Sequence, residues 1–238
     1  MRLGSTQPST EIKRTSKVLA VVAILSLTMS TAESRSAELQ KRARPLPEIP
    51  ADQQIEIAMS AGPAHISEKA TIYVLGTKGY IQARTGTNGF SCLVERQFLE
   101  TFEPSCYDAE GTATTLQARL YREELRAAKI AEDQIETRIN DGYKAGRFKA
   151  PKRPGLVYML SAYNRVHNDR SHQIIDVPPH LMFYAPYATQ KDLGEFVGPH
   201  MPYVVLEGRP DAYIIVSPEA MASAIQRQRS AADPHSKH

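Results

Sequence analysis

The sequence predicts an α+β fold, with a mainly antiparallel sheet and a helical hairpin packed on one face. Three observations lead there. Short apolar and β-branched runs, set apart by Gly, Pro and Asn, recur on both sides of one helical stretch. That stretch, Thr114 to Gly146, carries Leu116, Leu120, Ile135 and Ile139 at helical spacing among charged residues. The strand runs are joined by short turns rather than long crossovers, which favours hairpins over βαβ units.

Taken in order, residues 1–32 have the pattern of a secretory signal peptide. Lys13, Arg14 and Lys17 precede the apolar run Val18 to Met29, and Ser30, Thr31 and Ala32 supply the small residues of a cleavage site. The run is short for a bilayer span, so membrane attachment is expected only if this segment stays on as an uncleaved anchor. Residues 33–54, with Pro45, Pro47 and Pro50, read as a polar linker, although Asp52 suits the cap of a short helix through Ile55, Ala58 and Met59. Residues 55–217 form the expected single domain, and residues 218–238 a polar tail.

Within the domain, Thr71 to Asp108 reads as a three-stranded meander. Thr71 to Leu75 is apolar on both faces and belongs inside a covered sheet. In the next strand Ile81 and Ala83 face one way, Gln82 and Arg84 the other, so one face is expected to be wet. Asn88-Gly89 then signals a hairpin, because both residues tolerate positive φ. Phe90, Cys92 and Val94 line one face of the third strand, with Leu93 and Glu95 on the other. The helical stretch is too long for one helix in a compact domain of this size, so a break is expected near Lys129 to Glu132, with Gly146 as the final stop. Further strands are predicted at Leu156 to Leu160, His180 to Tyr187, Tyr203 to Leu206 and Ala212 to Val216. A polar tip lies at Tyr163 to Ser171 and one helical turn at Thr189 to Leu193.

Cys92 and Cys106 are the only cysteines among 238 residues. An even pair in an exported chain reads as a disulfide, here closing the loop Gln97 to Ser105. The formal charge of +3 is carried by residues 1–32, where Arg2, Lys13, Arg14 and Lys17 face Glu11 alone. A chain starting at Glu33 is formally neutral, so charge gives no footprint for nucleic acid. The glycines do not form a P-loop or G-x-G-x-x-G, and Gly89-Phe90-Ser91-Cys92-Leu93 lacks the last glycine of a nucleophile elbow. No cofactor is implied.

Three groups of residues are candidates for function. The aromatic set His180, Phe183, Tyr184, Tyr187 and Tyr203 can present apolar bodies with polar tips, and strand alternation puts His180, Met182 and Tyr184 on one side. His180, Tyr184 and Tyr187 are the expected ligand-binding residues, set against the simpler expectation that these rings pack under the helices. His167, His172 and His180, with Asp169 or Asp176, are an alternative metal site, though their spacing lacks the one-face logic of a helical motif. Asn88, Glu95, Arg96 and Asp108 surround the cysteine-closed loop. Glu95 or Asp108 beside His180 is the alternative acid–base set of a small hydrolase, but such groups more often order turns.

The segments NGFSCLVER, CYDAEG and PPHLMFYAPY resemble a family of secreted bacterial hypothetical proteins, across roughly Ile55 to Val216. That resemblance implies export and a single domain, and it brings no catalytic residues. The expectation is therefore a periplasmic or extracellular binding or interaction module whose partner is a small molecule or a protein.

Overall fold

The computed structural model describes residues 49–96, 101–168, 173–195 and 201–217. The signal-peptide segment, most of the linker and the C-terminal tail lie outside them. Among the described residues no helix is long and apolar enough to cross a membrane. The fold is α+β, built on an eight-stranded, mostly antiparallel sheet.

The sheet runs β2-β1-β3-β4-β5-β8-β10-β9. Its strands are β1 (Thr71–Gly76), β2 (Gly79–Arg84), β3 (Ser91–Glu95), β4 (Glu103–Tyr107), β5 (Leu156–Met159), β8 (His180–Tyr184), β9 (Tyr203–Val205) and β10 (Tyr213–Val216). A separate two-stranded ribbon pairs β6 (Arg165–Asn168) with β7 (Gln173–Asp176), so the expected polar tip contains two strands of its own. Helix α1 (Ala51–Met59) packs on β1, β3 and β4 from one side. On the other side α4 (Thr115–Ala127) packs on β2 and sends Leu116 into the core formed with Leu93, Tyr107, Val157 and Tyr213. Between them lie the short α2 (Ala64–Ser67) and α3 (Ala109–Ala113), and α5 (Glu132–Lys144) completes the helical hairpin.

The meander is not what forms. β1 and β2 make a hairpin, but β3 pairs with β1 in parallel, on the side away from β2. Burial explains the choice. Ser91, Cys92, Leu93 and Val94 are all buried, so β3 needs cover on both faces and a neighbour on each side. β2 meets none of those requirements, since Ile81, Gln82 and Ala83 are exposed. Ile81 and Ala83 therefore do not face the core as alternation suggested. The buried face of β2 is instead marked by Tyr80, whose hydroxyl donates to the Val94 carbonyl at 2.7 Å.

Asn88-Gly89 serves as a crossover turn. Asn88 Oδ1 accepts from the Phe90 amide and its Nδ2 donates to the Ile66 carbonyl, while Gly89 has φ +81°. Gly86 lies so close to β1 that a Cβ there would stand 2.2 Å from the Thr71 nitrogen.

The linker boundary also shifts. α1 starts at Ala51, with Pro50 at its N-cap and no side-chain cap, so Asp52 lies in the first turn and acts only through its charge. Gln54 belongs to the fold: its amide accepts from the Leu75 N–H at 2.7 Å and donates to the Leu75 carbonyl at 3.2 Å.

The helical break falls at residues 128–131, where it was expected. Arg122 and Arg126 on α4 both pair with Glu132 on α5, and Gly146 (φ +74°) ends the second helix. Cys92 and Cys106 are direct cross-strand partners, joined by a disulfide. The bridge ties two paired strands, with β4 already formed from Glu103, and residues 97–100 lie outside the described set.

Cross-linking positions 14 apart restricts the unfolded chain by ~3 kcal/mol. Cys92→Ser with Cys106→Ser should therefore shift urea unfolding to lower midpoint by about that stability. An unchanged midpoint would mean that packing alone sets the strand register.

Candidate functional site

The expected site residues separate into an inner and an outer group. β8 alternates as the sequence implied: His180 and Tyr184 share a face, opposite Met159 and level with Tyr213 respectively. That face is the covered one. Tyr184 is 9% exposed and packs with Tyr107, Leu116 and Tyr213, its ring 5.8 Å from that of Tyr213. Its hydroxyl is directed at Asp108 Oδ1 (3.0 Å) and the Leu156 carbonyl (3.1 Å). Burial and the Asp108 carboxylate both raise the phenol's pKa, so it stays a proton donor. Neither Tyr184 nor His180 is open to a ligand.

Asp108 holds this corner together. It caps α3 by accepting from the Gly111 amide at 2.9 Å, and its second oxygen accepts from the Leu156 amide at 2.9 Å. The expected turn chemistry is present, together with a structural bond to Tyr184. Packing here is close, because a Cβ on Gly111 would stand 1.8 Å from the Tyr184 hydroxyl.

The acid–base alternative does not assemble. Tyr184, bonded to Asp108, lies four residues along β8 from His180, or ~13 Å at strand rise. Glu95 on β3 is three strands from β8, ~14 Å away. His180 is 7% exposed, its Nδ1 sits 2.9 Å from the Pro178 carbonyl, and burial lowers its pKa. It is a core histidine. Of the metal alternative, His172 and Asp169 lie outside the described residues, and His167 is on β6. Asp176 pairs with Arg165. Among the described residues no three His, Cys, Asp or Glu side chains are placed to hold a metal ion.

Arg96 and Asn88 are also structural. Arg96 is buried, donates to the Thr101 carbonyl at 3.2 Å and lies over the Phe102 ring at 4.6 Å. Glu95 is the exception in this set, since the register places Glu103 directly opposite it on the α4 side of the sheet. Tyr107 donates to Glu95 Oε1 at 2.6 Å, and Arg119 stands 3.8 Å from Oε2. Burial first, and then the Glu95 carboxylate, push the Glu103 carboxyl up to about 8. The sequence did hold a signal for Glu103. Once Cys92 and Cys106 are paired across antiparallel strands, the same register joins Glu95 to Glu103.

Tyr187 is the one expected binding residue on the surface. It is 61% exposed and has φ +65°, with its amide donating to the Arg209 carbonyl at 2.8 Å. Phe183, Met201 and Tyr203 are exposed along β8 and the chain into β9, Phe183 and Tyr203 on opposite faces of the sheet. No protein-family model matches the chain, and no match is found among curated proteins or solved structures. The likeness to secreted bacterial proteins thus rests on the quoted segments alone.

If Tyr184 is structural, Tyr184→Phe should cost about 1.5–3 kcal/mol, the range for a hydrogen bond to a charged group. Gly111→Ala should be less damaging in that background than in the native protein. Equal costs in both backgrounds, measured by thermal and urea unfolding, would contradict the contact.

Proposed function

We propose that the protein is an exported, non-enzymatic interaction module that engages a partner protein through Tyr187 and the exposed aromatics of the β8 and β9 end. The observation that carries this reading is Tyr187 itself. A left-handed backbone conformation favours glycine or asparagine, and costs a bulky residue of order 1 kcal/mol. The side chain gains nothing from the core in return, being mostly in water. Leu206 has the same backbone conformation but packs against the inner core, so its presence has a folding reason. Tyr187 has none, and an exposed tyrosine suits a protein interface.

The surroundings support this end of the sheet. Of the six large apolar side chains exposed among the described residues, four (Phe183, Tyr187, Met201 and Tyr203) belong to β8, β9 and their flanks, with Phe183 and Tyr203 on opposite faces beside the β9 edge. Export is supported by the signal-peptide pattern of residues 1–32 and by a disulfide linking the only two cysteines.

Two measurements test these points. Intact mass of protein from the exported fraction should give a chain beginning near Glu33, two hydrogens lighter than its reduced form. A chain retaining residues 1–32 would remove the argument for a cleaved leader. For the surface, Tyr187→Gly should leave stability within about 1 kcal/mol, because relief of strain offsets the added freedom of the unfolded chain. Cross-linking in the native exported fraction should recover a partner with the native protein and lose it with that variant. Retention of the same partner by Tyr187→Gly, and by Tyr187→Gly with Tyr203→Ala, would reject this surface.

A further inference from the structure

A second feature lies inside the fold, away from the aromatic surface. β3 and β4 place Glu95 and Glu103 directly opposite each other. Side chains in that relation share a face with their Cβ atoms ~5 Å apart, where two like charges repel. The face is the one under α4, so water cannot fully screen them.

None of the groups around the pair is bonded to the Glu103 carboxyl. From β2, Tyr80 spends its hydroxyl proton on the Val94 carbonyl. From β4, Tyr107 donates to Glu95, and from α4, Arg119 lies nearest Glu95 as well. Also on α4, Glu123 and Arg126 pair with each other, and Arg126 reaches on to Glu132. Tyr213 on β10 and Asp211 before it lie further along the same face, with Asp211 paired to Arg209. Glu95 thus has a donor and a cation, whereas among the described residues the Glu103 carboxyl has neither an ion pair nor a hydrogen bond. The favourable arrangement is one charged carboxyl and one neutral one, with the proton on Glu103.

We propose that this carboxyl pair is a proton-sensitive joint, which keeps the β3–β4 hairpin end docked under α4 while Glu103 is protonated and loosens it when that proton leaves. The end in question carries the Arg96–Thr101 bond and the Phe102–Arg165 bridge to β6, closed by backbone bonds of 2.9 and 2.8 Å. Loss of the proton puts two adjacent carboxylates under the helix, beside the contact in which the Arg96 carbonyl accepts from Arg126 Nη1 of α4 at 3.4 Å. The sign agrees. A carboxyl raised from 4.5 to about 8 in the folded protein stabilises it fully below 4.5, and that contribution disappears as pH climbs through about 8.

Hydrogen exchange of the full chain provides the test. Amides of residues 101–107, corrected for intrinsic rates, should lose about a hundredfold protection between about pH 6 and about pH 9, because opening returns the carboxyl from about 8 to 4.5 and the linked stability falls about tenfold per pH unit up to about pH 8. Glu103→Gln, which is neutral throughout, should keep its protection across the same range. Parallel losses in the two proteins, or no loss in the native one, would overturn the proposal. Should the variant fail to fold, carbon-13 NMR of the native Glu103 carboxyl decides instead. A midpoint near 8 upholds the joint, and one near 4.5 removes it.

Discussion

The fold depends on a strand that must be buried on both faces. Ser91 to Val94 expose almost nothing, and both faces are apolar enough to require it. Cys92 and Val94 face the core under α1 with Ile57, Ala58 and Ile72, while Leu93 faces the core under α4 with Tyr107 and Leu116. A strand with those demands cannot sit at an edge. It takes an inner position, excludes β2 to the rim, and leaves β1 and β4 as its neighbours. The path of the chain follows: β2 becomes part of the connection between the parallel β1 and β3, which short turns alone cannot span.

Closing the α4 side traps polar groups, and the fold handles each one differently. Asp108 is fully served by the Gly111 and Leu156 amides and the Tyr184 hydroxyl, so its charge is dispersed over three donors. Arg122 and Arg126 are neutralised by glutamates of α4 and α5, which also fixes the angle of the helical hairpin. Arg209 extends that network to the sheet by joining Glu136 to Asp211. Among the described residues the half-buried Glu103 carboxyl has no ion pair or hydrogen bond, and burial together with the Glu95 carboxylate favours its neutral form.

Local features were legible in the sequence because they are decided locally. The helical break follows from the length of the periodic stretch, and the stop at Gly146 from its left-handed conformation. The parity of His180 and Tyr184 follows from strand alternation. Pairing is decided elsewhere. Asn88-Gly89 has the right conformations for a hairpin, but turn chemistry does not specify which strand lies next door. Ile81 looked like a core residue for the same reason, since alternation identifies two faces without saying which is covered. The site suffered from this most. An aromatic strand with a histidine suggests a binding face until α4 is placed over it, and then His180 and Tyr184 become core while Tyr187, beyond the strand end, stays outside. Glu103 was passed over because it lies in what looked like loop, although the cysteine register already contained its position.

The two halves of the sheet are therefore covered differently. β3 and β4 are covered on both sides, cross-linked by Cys92–Cys106, and hold the half-buried carboxyl pair. β8, β10 and β9 share the α4-side core through Tyr184 and Tyr213 but leave Phe183 and Tyr203 partly in water. Glycine at position 187 would remove the strain but add freedom to the unfolded chain, so stability alone does not choose between the two residues there. A change at Tyr187 thus separates an effect on binding from an effect on the core at a single residue. His180 and Tyr184, a few residues earlier, offer no such separation, because any loss of binding on changing them would be confounded with loss of the core.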